Sequence, residues 1–188
     1  MRYVLVDDSI AYDGYTPMRR ALGGSEKAVI SLATALQLRG HEVNVINRTT
    51  YAHMADGAYY TPFGDSLLPK AADVLIAMRK PALLGAVRQV KHRLLWVVGS
   101  PDYLRASANQ SLWDSFKPAI LFVSPAQART YAGVLPHRVI VPGVRGAYLD
   151  RPTAAVQGEL AAVPDSANEP QAQAPTAVVT THPMHGLT

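Results

Sequence analysis

The sequence predicts an α/β domain built on a doubly wound, mostly parallel sheet. Short apolar runs rich in branched residues recur along the chain, they do not alternate with polar residues, and helical patterns lie between them. Strands with both faces covered have this pattern. The predicted strands are residues 3–6, 43–46, 74–78, 94–98, 120–123 and 139–141.

Helical patterns separate several of these strands. The clearest covers residues 25–39, where Gly40 supplies the C-terminal stop. A second helix is predicted for residues 82–92, after Pro81, and a third begins at Ser124, whose hydroxyl can cap a helix that has proline at its first position. The apolar face of the first helix comprises Val29, Leu32, Ala33 and Leu36.

The composition allows one sizeable core and excludes several functions. The chain has 188 residues, 48% of them hydrophobic, and a net charge of +4 from scattered basic residues, which is too weak a signal for nucleic-acid binding. The absence of cysteine excludes disulfides, a thiolate nucleophile and a cysteine-based zinc site. The six histidines lack metal-ligand spacing, so we expect no metal and no cofactor.

The apolar runs of the sequence predict where the protein is located. The first residues meet charge too early for the apolar core of a signal peptide, and no run approaches the ~20 residues of a membrane span. We therefore expect a cytoplasmic protein. Residues 88–93 hold the tightest basic group, which on a helix would form either a solvated face or a weak peripheral contact with the inner face of the membrane.

The composition changes at about Arg151 and divides the chain into three parts. Residues 1–150 form the Rossmann-like domain, and residues 151–175, dominated by Ala, Pro, Gln and Glu, are typical of a flexible linker. Strand character resumes in residues 176–188, which then reach a glycine turn. A lone strand cannot form a domain, so we expect a second domain that begins here and is truncated.

A long polar loop, residues 8–22, follows the first strand and ends at Gly23-Gly24-Ser25-Glu26. The two glycines permit close approach of a ligand, and the exposed amides of the helix start favour an anion such as a diphosphate. A plain glycine turn before a helix capped by Ser25 is the alternative. Nicotinamide or flavin binding is disfavoured, because the glycine spacing is wrong and Asn47-Arg48 ends the second strand without an acidic residue.

Residues 23–46 resemble the first glycine loop, helix and second strand of the family-4-type GT-B glycosyltransferases, which include glycogen-synthase-like enzymes. The resemblance rests on Gly-Gly-Ser-Glu-Lys-Ala-Val, Leu-Ala-Thr-Ala-Leu and Arg-Gly-His-Glu-Val-Asn-Val-Ile in this order. Residues 122–127 and 138–144 are similar to the fifth and sixth strands of that family, and residues 178–187 to the start of its second domain.

This resemblance implies that a hexosyl group is transferred from a nucleotide-sugar to an acceptor glycan, lipid or small molecule, usually with retention of anomeric configuration. The first domain would bind the acceptor, and Gly23, Gly24 and Ser25 would face the donor diphosphate bound to the second domain. His185 and Gly186 are weak candidates for a phosphate contact. Since most of the donor site belongs to the second domain, we expect the 188-residue chain to be inactive alone.

Further candidates lie at the predicted carboxyl ends of the strands. They could hold an acceptor or orient the glycine loop, and they are Asp7, Asp8, Gly99, Ser100 and Ser124. The family often has a histidine after its fourth strand, where this chain has Val98, Gly99 and Ser100, so no catalytic histidine can be assigned.

The sequence leaves several alternatives open. Arg79 and Lys80 could meet an anionic acceptor or simply be solvated, and Trp113 could form a sugar platform or pack in the core. The competing function is a non-catalytic Rossmann-like module that binds a glycan or a protein partner.

Overall fold

The computed structural model describes residues 1–143 and confirms an α/β fold with a mostly parallel sheet. Residues Met1–Val141 form one compact unit. The predicted linker, the start of the second domain, His185 and Gly186 lie outside the described residues. The strands are β1 (Arg2–Val6), β2 (Glu42–Asn47), β3 (His53–Ala55), β4 (Ala58–Pro62), β5 (Ala71–Met78), β6 (Gln89–Trp96), β7 (Ala119–Phe122) and β8 (His137–Val139).

Within this range the strands form one eight-stranded sheet in the order β3-β4-β2-β1-β5-β6-β7-β8. Every neighbouring pair is parallel except β3 and β4. The described helices are α1 (Thr16–Arg19), α2 (Gly24–Leu38), α3 (Gln110–Phe116) and α4 (Pro125–Thr130), with short 3-10 turns at Pro81–Gly85, Asp102–Arg105 and Ser107–Asn109.

The sheet has a hydrophobic cluster on each face, as the continuous apolar strands predicted. Val4 and Val6 of β1 belong to one cluster, whereas Leu5 between them belongs to the other. The Leu5 cluster includes the apolar face of α2, and the Val4 cluster includes Trp113 of α3. Successive strand residues point to opposite faces, so both faces of β1 are buried.

Two predicted helices are confirmed, α2 with its predicted stop and α4 with its predicted start. The helix α2 runs from Gly24 to Leu38, and Gly40 follows it with the positive φ of 77° that suits glycine at such a stop. The helix α4 begins as predicted, because the Ser124 hydroxyl accepts a hydrogen bond from the Gln127 amide at 3.1 Å and Pro125 occupies the first helical position.

The helix predicted for residues 82–92 is wrong. A 3-10 turn, Pro81–Gly85, is followed by β6, which pairs with β5 from Ala71 opposite Gln89 to Met78 opposite Trp96. Pairing along the full length of β5 outweighs the local helical pattern.

The basic residues of 88–93 therefore do not form a helix face. Lys91 and His92 lie on strand β6, and Lys91 pairs with Asp73 at 2.6 Å. The Arg93 guanidinium turns inward, where it donates to the Leu84 carbonyl at 3.1 Å and lies 4.9 Å from the centre of the Phe116 ring. A peripheral membrane contact stays a prediction, but it can no longer be based on a basic helix at residues 88–93.

The β3–β4 hairpin and the short α1 were not predicted. Asp56 and Gly57 connect β3 to β4, and both have positive φ, 48° and 78°. These angles define the two-residue turn for which Asp-Gly is favoured, so the dipeptide was an available signal.

No helix within residues 1–143 has the length and apolar character to cross a bilayer.

Candidate functional site

The carboxyl ends of β1 and β5 and the start of α2 meet at one ion-pair network. Arg79, the first residue after β5, donates to the Asp7 carboxylate at 3.0 Å and to the Glu26 carboxylate at 2.6 Å. Its backbone has a φ of 64°, a left-handed conformation that is uncommon for a residue with a side chain. The network therefore joins two strands to the helix that follows the long loop.

Asp7 is completely buried, and its carboxylate has only internal partners. Besides Arg79, it accepts hydrogen bonds from the Ser9 amide and hydroxyl, at 3.1 and 2.9 Å, and from the Tyr12 hydroxyl at 2.9 Å. Burial, followed by the charge of Asp7, raises the pKa of Tyr12, which keeps this phenol a neutral donor. These contacts favour the loop-orienting interpretation of Asp7.

The start of α2 differs from the expected cap, because Gly23 and not Ser25 is the N-cap residue and no side chain accepts a capping hydrogen bond. Glu26, at the third helical position, bends back so that one carboxylate oxygen lies where a Cβ on Gly23 would stand. Burial raises the pKa of Glu26, but hydrogen bonds from its own amide, Arg79 and Ser9 outweigh burial and leave the pKa below its ordinary value.

Glu26 is thus a site residue that the sequence analysis missed. The sequence did carry a signal for it, because Glu26 stands three residues after Gly23, the residue that precedes the helix. An acidic side chain at this position can reach back to the first turn. Its negative charge at the helix start also means that an external anion meets a partly neutralised first turn.

Gly24 opens towards free space. A Cβ built on it meets nothing within 4 Å, and it does not have a positive φ. Its backbone therefore does not require glycine, whereas close approach of a ligand would. Together with Gly23 and Ser25 it forms the first turn of α2 beside the network.

The half-buried neighbour Asp8 is paired as well. Its carboxylate accepts a hydrogen bond from Lys80 at 2.6 Å, and its carbonyl accepts one from Arg48. Arg79 and Lys80 are therefore both engaged by carboxylates of the β1 end, rather than solvated without partners.

The remaining described candidates lie after β6 and β7, where they are held by local contacts. Gln127 joins two of them, since its side-chain amide donates to the Gly99 carbonyl at 2.6 Å and its backbone N–H donates to the Ser124 hydroxyl at 3.1 Å. Gly99 has a φ of 84°, so glycine is required there by the backbone. The Ser100 hydroxyl donates to Asp102 at 2.6 Å.

The carboxyl edge is therefore organised as two groups: Asp7, Asp8 and the first turn of α2 in one, and Gly99, Ser100 and Ser124 in the other. Within residues 1–143 no three His, Asp or Glu side chains are grouped to hold a metal ion. An open groove of about 810 Å³ lies at the opposite, amino-terminal edge, lined by residues such as Arg2, Glu42 and Asp73. It is remote from both groups.

No protein-family model and no curated protein matches the chain. Among solved structures, the chain is similar to a sucrose-phosphate synthase from Thermosynechococcus elongatus, with a TM-score of 0.53 and 13% sequence identity. The likeness shows a shared fold. It covers 86% of this chain and 53% of that one, so this chain spans about half the length of the synthase structure.

Proposed function

We propose that the chain is the acceptor-side half of a glycosyltransferase that moves a sugar from a nucleotide-sugar to an acceptor. The fold shared with a sucrose-phosphate synthase supports glycosyl transfer, and the resemblance of residues 23–46 to family-4-type enzymes supports a nucleotide-sugar donor and retention. The observation that carries the proposal is the first turn of α2, whose Gly24 adjoins open space.

In this proposal the amides of Gly23 and Gly24 stabilise the negative charge that develops on the leaving diphosphate. Fixed backbone donors do so without rearranging during the reaction. The network of Arg79, Asp7 and Glu26 holds these donors in place from the protein side. Because Glu26 covers the Gly23 side, the diphosphate would approach from the Gly24 side.

Gly24→Ala tests this arrangement. The added methyl group meets no protein atom, and alanine is favoured over glycine within a helix, so we expect the thermal midpoint to stay the same or rise slightly. The methyl group would occupy the space proposed for the diphosphate, so sugar transfer should fall by about tenfold or more. Transfer from UDP-, GDP- and ADP-glucose is measured with the protein purified from its native source and with its variants.

Ser31→Ala is the matched control, because Ser31 is an exposed residue of α2 away from its first turn. It should retain full transfer. Equal transfer by the wild type and Gly24→Ala would refute a role for this turn in holding the donor.

The 188-residue chain alone is expected to turn over none of these donors. The likeness covers 53% of the synthase structure, and in our proposal the donor-binding half lies in the part that it leaves uncovered. Incubation of the purified chain with each donor, followed by measurement of free nucleotide, checks this expectation. Efficient nucleotide release that requires the acceptor would show that the chain holds a complete site.

A non-catalytic glycan- or protein-binding module is the second candidate. The fold likeness is equally compatible with it, since a shared fold alone does not bring a shared activity. Binding to a glycan array that is unchanged by added nucleotide, without transfer by the protein from its native source, would support this alternative.

A further inference from the structure

We propose that His53, as a doubly protonated imidazolium, is a positioning residue that ties the long loop, residues 8–22, to the β3–β4 hairpin. Its consequence for transfer rests on the proposed function, because this loop leads directly into the glycine turn. The tie itself is a property of the folded chain.

Both ring nitrogens of His53 face hydrogen-bond acceptors. Nε2 lies 3.1 Å from a carboxylate oxygen of Asp13 in the loop, and Nδ1 lies 3.0 Å from the backbone carbonyl oxygen of Tyr51. Neither a carbonyl nor an ionised carboxylate can donate a proton, and a neutral imidazole carries a single N–H. Only the imidazolium can satisfy both contacts at once.

The surroundings of the ring favour a positive charge. Tyr60 of β4 stacks on it at 5.9 Å between ring centres, and Tyr51 lies at 4.9 Å. Burial, followed by the charges of Asp13 and Asp56, raises the pKa of Tyr60 and keeps it neutral. The titratable groups that these contacts place around His53 are therefore the phenols of Tyr51 and Tyr60 and the carboxylate of Asp13, with Asp56 in the adjoining turn.

Asp13 is held in its ionised form. Burial raises the pKa of its carboxyl, but hydrogen bonds from Thr16, His53 and the Tyr15 amide outweigh this effect and lower the pKa. A ring with a single N–H keeps at most one of the two contacts, so the full tie requires both ring protons together with the ionised carboxylate of Asp13. Raising the pH therefore weakens this tie, whereas contacts that depend on ionised carboxylates alone weaken when the pH falls.

The position of Asp13 connects this tie to the candidate site. The preceding residue, Tyr12, donates its hydroxyl to Asp7, and its carbonyl accepts a hydrogen bond from Asn47 at 2.7 Å. Asp7 in turn binds Arg79. Loss of the His53 contact would loosen the loop next to the network that holds the first turn of α2.

Hydrogen exchange of the complete 188-residue chain tests the tie without nucleotide or acceptor. Protection of residues 8–22 is measured between about pH 5 and about pH 8, where an imidazole changes charge. Rates are corrected for the intrinsic effect of pH on exchange. We expect wild-type protection to fall by roughly tenfold over this range, as loss of one charge-assisted hydrogen bond implies.

Variants separate charge from packing. His53→Gln and Asp13→Asn should show low, pH-independent protection of the loop, whereas His53→Lys should keep high protection at both pH values because its cation persists. His92→Gln, at an exposed position of β6, should follow the wild-type profile. Unchanged protection of β1 and β5 in every variant verifies the fold.

Wild-type protection that does not change with pH, or a wild-type pH profile in His53→Gln, would overturn the proposal. Either result leaves the Gly24→Ala test of glycosyl transfer unaffected. Conversely, absence of transfer in that test would not alter the exchange profile, so the two proposals can fail independently.

Discussion

Replacement of Arg79 by alanine is expected to lower the free energy of unfolding by about 3 kcal/mol, because it leaves buried negative charge without its cation. Asp7 is completely buried, and the Glu26 side chain is 10% exposed, so water cannot replace the guanidinium at Asp7 and does so poorly at Glu26. Urea unfolding at neutral pH, monitored by circular dichroism, measures the difference.

Two comparisons isolate the cause of this loss. Arg105→Ala breaks an ion pair whose side chains are 59% and 67% exposed, and it should have no measurable effect. Arg79→Gly loses the same pairs as Arg79→Ala but relieves the left-handed backbone, so it should be the more stable of the two by about 1 kcal/mol. If Arg79→Ala were as stable as Arg105→Ala, the network would not hold the site together.

The sequence predicted where this network lies but not its pairing. Asp7 and Arg79 each follow a predicted strand, and the carboxyl ends of parallel strands meet at one edge of a sheet, so both residues were expected there. Their partnership spans 72 residues of chain. Such a pairing depends on the strand order, which local patterns do not determine.

Glu26 shows a different limit. Its position three residues after Gly23 was visible in the sequence, yet the adjacent serine offered an equally good local cap. The choice was decided by Arg79, which reaches Glu26 from another strand at 2.6 Å and holds it over the first turn. Local capping preference was outweighed by a tertiary ion pair.

The wrong helix prediction for residues 82–92 has the same cause, because tertiary pairing outweighed the local pattern of a whole segment. Residues 82–92 have a helical apolar pattern, but Gly85 ends the turn after Pro81, and residues 89–96 pair with the whole of β5. The gain from extending a central parallel ladder is not encoded locally. In contrast, α2 and α4 carry their own start or stop signals, and both were predicted correctly.

Trp113→Ala is expected to destabilise the chain by about 3–5 kcal/mol, because it opens a cavity in the core beneath α3. Trp113 is 8% exposed, belongs to the same hydrophobic cluster as Leu84, and donates its indole N–H to the Leu104 carbonyl at 3.2 Å. This burial favours core packing over the sugar platform that the sequence left open. Thermal and urea unfolding measure the loss.

Trp113→Phe distinguishes packing from the hydrogen bond. Phenylalanine keeps much of the buried apolar volume but leaves the Leu104 carbonyl without the indole donor, so its effect should be intermediate, about 1–3 kcal/mol. Gln110→Ala removes an exposed contact to Asp114 on the same helix and should change stability little. A sugar platform would give the reverse pattern: near-wild-type stability in Trp113→Ala with loss of glycan binding. The buried indole makes that pattern incompatible with the packing around α3.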